Sequence, residues 1–220
     1  YSPSATKADY WIPCRTGISD TTIFLTMTKI IIDNKWYDAD FVKKFTDFPL
    51  LIRTDTLKRL QPHEIIKDYK QPKLDYSHKV QGLKKEQREQ LGDFVVYDAK
   101  AKDFKAITRE DVGKKMVAKG IDPALEGTFQ VKTVDGKEVE VMTLFDLYKI
   151  HLRDFDVKTT ADITGAPAHL IERLAKDCAT IKPAAIHYGE GINHYFHATL
   201  HNRATYLPLM LTGNIGYHGS

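Results

Sequence analysis

The sequence predicts an α/β fold, an open sheet with flanking helices, interrupted by an irregular insertion and carrying one β-hairpin. Three observations carry that expectation. Ile23, Phe24, Met27, Ile30 and Ile31 recur at helical spacing, with Leu25 and Ile32 widening the stripe, which predicts a helix over 21–32 that is buried on most sides. Asp135-Gly136, set between runs at 128–134 and 137–142, is the strongest hairpin signal in the chain, because both residues tolerate the positive φ of a tight turn. Finally, the stripe Leu170, Ile171, Leu174, Ala175 and Cys178 leads through Lys182-Pro183 into an apolar run at 184–188 and then Gly189-Glu190-Gly191. That order reads as helix, core strand and glycine turn, as in open α/β sheets whose ligands gather beyond the carboxyl ends of the strands.

The remaining elements follow in order. Ser19 or Asp20 suits the N-cap of the first helix, since a side-chain oxygen there can accept from unpaired first-turn amides. A second, short helix is expected over 38–47 with Phe41, Val42 and Phe45 inward, and a strand over 50–53. From 54 to about 105 lysines, glutamines and prolines are frequent and periodicity is weak, so an irregular surface excursion is expected, with a strand at 94–97 inside it and a short helix at 111–119 beyond. Leu144, Leu147, Tyr148 and Leu152 set a helix over 144–155. A helix at 160–164 closes on Gly165, and Pro167 sits near the next helix start, where its missing amide costs nothing. The last helix, 195–211, places Leu200, Ala204, Leu207 and Leu211 on one face and contains Pro208, which should kink it. By segment the chain divides into 1–53 (α/β), 54–125 (irregular insertion) and 126–220 (hairpin, then α/β).

Composition bounds the function classes. The chain has 220 residues, 42% hydrophobic and 28% charged, with 32 basic against 29 acidic side chains. Disorder is excluded, and the balanced charge without a basic stripe gives no support to nucleic-acid binding. Two cysteines, Cys14 and Cys178, are too few for a disulfide framework and too far apart for a CxxC motif. No apolar run reaches the roughly 18 residues of a membrane helix. Neither end looks like a natural terminus, so the expectation is a chain cut at both ends.

Three constellations could carry chemistry. The first is Ile12-Pro13-Cys14-Arg15-Thr16-Gly17-Ile18-Ser19-Asp20, which runs through glycine into a buried helix. A helix start offers free amides and partial positive charge to a phosphate, and Asp20 could take two N–H groups from a guanine edge, although the local pattern alone fits a plain capped helix better. The second is Gly189-Glu190-Gly191-Ile192-Asn193-His194, where glycines permit close approach and Asn193 and His194 offer donors and acceptors to a heteroaromatic ring. Without context a structural turn is the simpler account. The third is His194, His197 and His201, the last two at i, i+4 on the expected helix; a third ligand at zinc spacing is missing, so zinc is not expected. Arg203 reads either as an anion contact or as a surface salt bridge. No nucleophile–base set is apparent.

Taken in order, these segments resemble the molybdopterin oxidoreductases of the dimethyl-sulfoxide-reductase family. Residues 2–9, Trp11-Ile12-Pro13 and Gly17 to Asp20 are similar to that family's stretch ending in Gly-Thr-Asp, with Ile18 as an inserted residue and serine in place of threonine. Tyr37-Asp38 with Asp40-Phe41-Val42, then Asp162 to Pro167, then Leu211-Thr212-Gly213-Asn214-Ile215-Gly216 keep the order. The resemblance covers most of the chain outside 54–125. Asn193-His194-Tyr195-Phe196-His197 and Asn202-Arg203 look most like nitrate reductase and nitrite oxidoreductase large subunits, with chlorate, selenate and hydrocarbon relatives still open.

The resemblance implies a part of a multi-domain enzyme in which 1–53 and 126–220 are cofactor-binding segments. It implies the cofactor molybdenum bis(molybdopterin guanine dinucleotide), held in part by Pro13, Gly17, Ser19, Asp20, Gly189, Gly191, Asn193, His194 and Arg203, and an iron–sulfur cluster carried elsewhere in the subunit. The molybdenum ligand is likewise expected outside this chain, and no residue here is assigned as catalytic or metal-ligating. The implied partners are an iron–sulfur electron-transfer beta subunit and a haem-containing gamma subunit, membrane-bound or soluble. The implied substrates are nitrite and nitrate, with oxygen-atom transfer to nitrite, giving nitrate, as the first reading and nitrate reduction as the second. Membrane association through partner subunits, on the periplasmic side, follows from the same resemblance. A rival of another class is a noncatalytic nucleotide-binding α/β module, which predicts a complete fold with natural termini.

Overall fold

In the computed structural model, which describes residues 3, 5–17, 19–74, 86–87, 91–216 and 218–219, the chain runs α1 (Ser19–Asp33), α2 (Ala39–Phe45), β1 (Leu51–Arg53), α3 (Pro62–Ile65), β2 (Phe94–Asp98) and β3 (Asp103–Ile107). It continues with α4 (Lys114–Ala118), β4 (Thr128–Lys132), β5 (Glu138–Thr143), α5 (Leu144–His151), a 3₁₀ turn (Leu152–Asp154), α6 (Val157–Thr164), α7 (Ala168–Thr180), a second 3₁₀ turn (Glu190–His194) and α8 (Ala198–Leu211). Two compact units result. The first joins Tyr1–Asp38 to Lys149–Ser220, and the second is Ala39–Tyr148. Among the described residues no helix is long and apolar enough to cross a membrane.

The first unit is helical and is built on α1. Ile23 and Met27 of α1 pack with Ile171, Ala175 and Cys178 of α7 and Leu209 of α8, and Ile12, Ala184 and Ile186 close over this cluster. Nine of the fifteen α1 residues are buried, as the broad apolar stripe predicts. Four of the buried ones are hydroxyl-bearing: Ser19, Thr22, Thr26 and Thr28. Thr26 and Thr28 return their protons to the carbonyls of Thr22 and Phe24 at 2.9 and 2.7 Å, which lets polar side chains sit in a packed face without an unmet donor. Asp156 caps α6 by accepting from the Thr159 amide at 2.9 Å, and Gly165 ends it in the left-handed conformation, φ 71.

The second unit holds the sheets. β1, β5 and β4 form an antiparallel sheet in that order, with Ile52 opposite Met142 and Val131 opposite Val139. The Asp135-Gly136 hairpin joins β4 to β5, with Gly136 at φ 85 and the Thr133 amide donating to the Lys137 carbonyl at 2.8 Å. Alternation along β5 buries Val139 and Val141 while Glu138 and Glu140 face outward. β2 and β3 form a separate antiparallel pair. Its Phe94 and Val96 pack with Leu50, Ile107 and Met116, and Val95 joins Leu51, Leu60 and Val141 on the other cluster.

The α/β class therefore stands, with two small antiparallel sheets and flanking helices. Several local expectations are corrected. The run 184–188 is not a strand: the Ala184 amide donates to the Asn214 side-chain oxygen at 3.1 Å, so this segment is held by a side chain and not by a ladder. The span 54–125 is not merely irregular, since β2, β3, α3 and α4 lie in it and contribute buried apolar residues. Because β1 pairs with β5, the compact units divide at 38/39 and 148/149 and cut across the segments 1–53, 54–125 and 126–220. In α2 only Val42 is buried, and Phe45 is 54% exposed; it lies under Gly113, where a Cβ would stand 2.6 Å from the ring and φ is 53, so glycine is required there twice over. Leu200, expected inward on α8, is 55% exposed, whereas Ala204 and Leu211 are buried.

Candidate functional site

The first candidate turn leaves the core at Ile12 and is fixed by Arg15. The Arg15 amide donates to the Thr164 carbonyl at 2.7 Å, and its guanidinium Nη1 donates to the carbonyls of Asp162 and Ile163, both at 2.8 Å. These are last-turn carbonyls of α6, which lack helical partners, and the cation also meets the negative end of the helix dipole. Gly17 then turns at φ 110 with open space where a Cβ would be. Ser19 begins α1 rather than capping it, and its buried hydroxyl donates back to the Arg15 carbonyl. That proton closes the turn. Pro13 and Asp20 are exposed, so the carboxylate sits free at the first turn of a buried helix. Next to it, the Thr21 hydroxyl is buried without a partner in the described structure. Ile18, with Tyr1, Ser2 and Ser4 of the resembling stretch, lies outside the described residues.

The Cys14 thiol beside this turn is pushed up, first by desolvation and then by the Asp20 charge, with the Ser19 contact opposing. Burial likewise raises Cys178, against the Thr212 hydrogen bond and the Lys182 charge. Neither thiol is an activated thiolate.

The second turn, at 189–194, does not follow a strand, contrary to expectation. It is a 3₁₀ turn whose Ile192 is buried while Gly189, Gly191, Asn193 and His194 are exposed. A Cβ at Gly189 or Gly191 would meet nothing within 4 Å, and neither has a positive φ, so nothing among the described residues requires glycine at either place. Asn202 on α8 donates to the Asn193 side-chain oxygen at 2.6 Å and to the Ala198 carbonyl at 2.9 Å, which holds the Asn193 amide with its N–H groups turned away from Asn202. Arg203 is exposed, and no carboxylate among the described residues pairs with it. His197 precedes α8 in the left-handed conformation, φ 60, so the expected pair of histidines on one helix is not formed. His201 is buried instead, with Nδ1 unpartnered and its ring stacked on Tyr195 at 6.3 Å. Among the described residues no group of three His, Cys, Asp or Glu could hold a metal ion.

Both turns emerge from one core, because Ile12 before the first and Ile186 before the second pack on the same cluster. Asn214 ties the second to α8: beyond its bond to Ala184, its amide donates to the Cys178 carbonyl at 3.0 Å and the Thr212 hydroxyl at 2.8 Å. Lys182 adds a bond to the Thr212 carbonyl. Here a cleft of about 430 Å³ is lined by Asp38, Lys182, Pro183, Gly213, Asn214 and His218. Arg15, Asn202 and Asn214 are positioning residues that the sequence reading quoted within motifs without giving them that role. Arg15 stands two residues before the glycine turn, and its carbonyl partners lie 147 and 148 positions away.

An exposed carboxylate at a helix start, a buried hydroxyl beside it without a partner among the described residues, two glycines open to approach, and exposed Asn193, His194 and Arg203 supply acceptor, donor and cationic groups of the kinds that a nucleotide's base and phosphates engage.

No family profile matches the chain. It is 33% identical over 221 residues to the perchlorate reductase subunit alpha of Dechloromonas aromatica, covering 100% of this chain and 24% of that one. It is 30% identical over 228 residues to the respiratory nitrate reductase subunit alpha of Haloferax mediterranei, covering 100% of this chain and 21% of that one. The chain thus spans about a quarter of the length of these relatives. Among solved structures, the acetylene hydratase of Pelobacter acetylenicus superposes on 98% of this chain and 16% of its own, at 16% identity and a TM-score of 0.49.

Proposed function

Because this chain belongs to the molybdopterin oxidoreductase alpha subunits of the dimethyl-sulfoxide-reductase family, we propose that it supplies part of the site for a bis(molybdopterin guanine dinucleotide) in a nitrite oxidoreductase. The observation that carries the oxyanion part of the reading is identity over the whole chain to alpha subunits named for the reduction of perchlorate and nitrate. The two turns rising from one core support it from the geometry.

Asp20 would accept from the guanine edge, with Gly17 and Pro13 shaping the turn and Ser19 closing it. Gly189 and Gly191 would let backbone lie against the cofactor, Asn193 and His194 would hydrogen-bond its rings or phosphates, and Arg203 would offer a fixed charge to a phosphate or to the substrate anion. When bound, molybdenum would supply oxygen-atom transfer and two-electron redox chemistry; the chain's part would be to bind and orient the cofactor. The overall reaction is nitrite plus water giving nitrate, two protons and two electrons, which an iron–sulfur cluster and the beta and gamma subunits would carry away. Attachment to a membrane through those partners, on the periplasmic side, belongs to the same proposal.

Nitrate reduction is the second reading, and the Haloferax relative favours it. The two separate in one assay of the full-length enzyme with its partner subunits. Nitrite-dependent reduction of ferricyanide should exceed nitrate-dependent oxidation of reduced viologen. Turnover with nitrate or perchlorate alone, and none with nitrite, would overturn the first reading while leaving the family intact.

A further inference from the structure

A second cleft lies in the Ala39–Tyr148 unit, and none of its lining residues is among those assigned above. Its volume is about 590 Å³, within the range of small-ligand sites. The floor is apolar: Leu50, Phe94, Ile107 and Met116 belong to one buried cluster. Over the Phe94 ring stand two guanidinium groups, Arg59 at 4.8 Å and Arg109 at 5.7 Å from the centroid. Neither pairs with a carboxylate among the described residues.

The acids lining the cleft do not answer them. Asp111 is committed to the Thr108 amide and hydroxyl at 2.7 and 3.0 Å and to Lys119 at 2.7 Å, and Glu110 pairs with Lys115 at 3.1 Å. Asp47 is the remaining acid of the lining, which also includes Lys44, Lys114 and Lys115. A guanidinium held over a ring by its charge still has N–H groups for an anion, and two such cations at one ring repel until an anion arrives. We propose that this cleft binds an organic carboxylate with a flat apolar body, which lies beside the exposed Val112 side chain while its oxygens are taken by Arg59 and Arg109.

The test uses the full-length subunit and three probes: benzoate, acetate and benzamide, followed by ligand-observed NMR titration. Benzoate should bind with a Kd on the order of 1 mM, and acetate or benzamide at least about tenfold more weakly, because each lacks one half of the recognition. Arg59→Gln with Arg109→Gln should weaken benzoate by about tenfold or more. Arg59→Lys with Arg109→Lys keeps charge and packing, so it should fold as the parent does and still lose several-fold through the missing fork. Failure of benzoate to bind, equal binding by acetate, or unchanged benzoate binding in either double variant would overturn the assignment.

Discussion

Asn214→Leu in the full-length subunit is expected to lower the local opening free energy of α8 and the 182–186 segment by about 3 kcal/mol or more. Asn214 is 2% exposed and answers three groups at once: the Ala184 amide, the Cys178 carbonyl and the Thr212 hydroxyl. Leucine keeps the volume and removes every bond, leaving polar groups buried without partners, each at about 1–3 kcal/mol. Asn214→Asp keeps the acceptor for Ala184 and loses both donors, so it should fall between. Hydrogen exchange of the α8 amides reads the effect directly. Protection in the leucine variant within about 1 kcal/mol of the parent would mean that the ladderless 182–186 segment is held by its apolar contacts alone.

Phe145→Ala should cost the second unit about 3–5 kcal/mol. The ring is fully buried at the start of α5, edge-on to Phe48 at 5.5 Å, and the Phe145 amide donates to the Phe48 carbonyl at 2.9 Å. Alanine leaves a cavity that backbone hydrogen bonds on either side keep from collapsing: Leu144 to Leu50 at 2.8 Å, and Thr143 to Gly127 at 3.1 Å. Phe145→Leu refills most of that space and should cost about 1–2 kcal/mol. Urea unfolding followed by exchange within β1 and β5 separates them, and equal stability of the two variants would contradict a cavity mechanism.

Where local chemistry decided the structure, the sequence was readable. The hairpin turns at Asp135-Gly136 with Gly136 alone at positive φ, and the α1 stripe and the Gly165 helix end appeared within a residue or two of expectation. Long-range partners were not readable. The run 184–188 has the composition of a core strand, yet its amide finds Asn214, thirty residues on, so periodicity gave the wrong element. The β2–β3 hairpin was half hidden because its turn places Lys102 at φ 53 and uses Asp98 to accept from the Lys100 amide at 3.0 Å, with no Asn-Gly or Asp-Gly to announce it. In the site, the residue types named from the motifs sit on two turns anchored to one core. The residues that aim them, Arg15 and Asn202, were visible only once α6 and α8 were in place.

The central claim, that these turns hold a guanine dinucleotide, is tested by cofactor content. Molybdenum by mass spectrometry and guanine nucleotide released by acid hydrolysis would be measured per full-length subunit for the parent, Asp20→Ala and Gly191→Val. Asp20 is exposed, and Gly191 has open space around it and no positive φ, so the cofactor-free variants should melt within about 2 °C of the cofactor-free parent, as surface changes do. Losing a charged acceptor to the guanine edge is worth about 1.5–3 kcal/mol, or roughly tenfold or more in affinity, so Asp20→Ala should load far less of both molybdenum and nucleotide. Gly191→Val should do the same by blocking backbone approach. Parent-level molybdenum and nucleotide in both folded variants would contradict the claim and leave the two turns as ordinary structure.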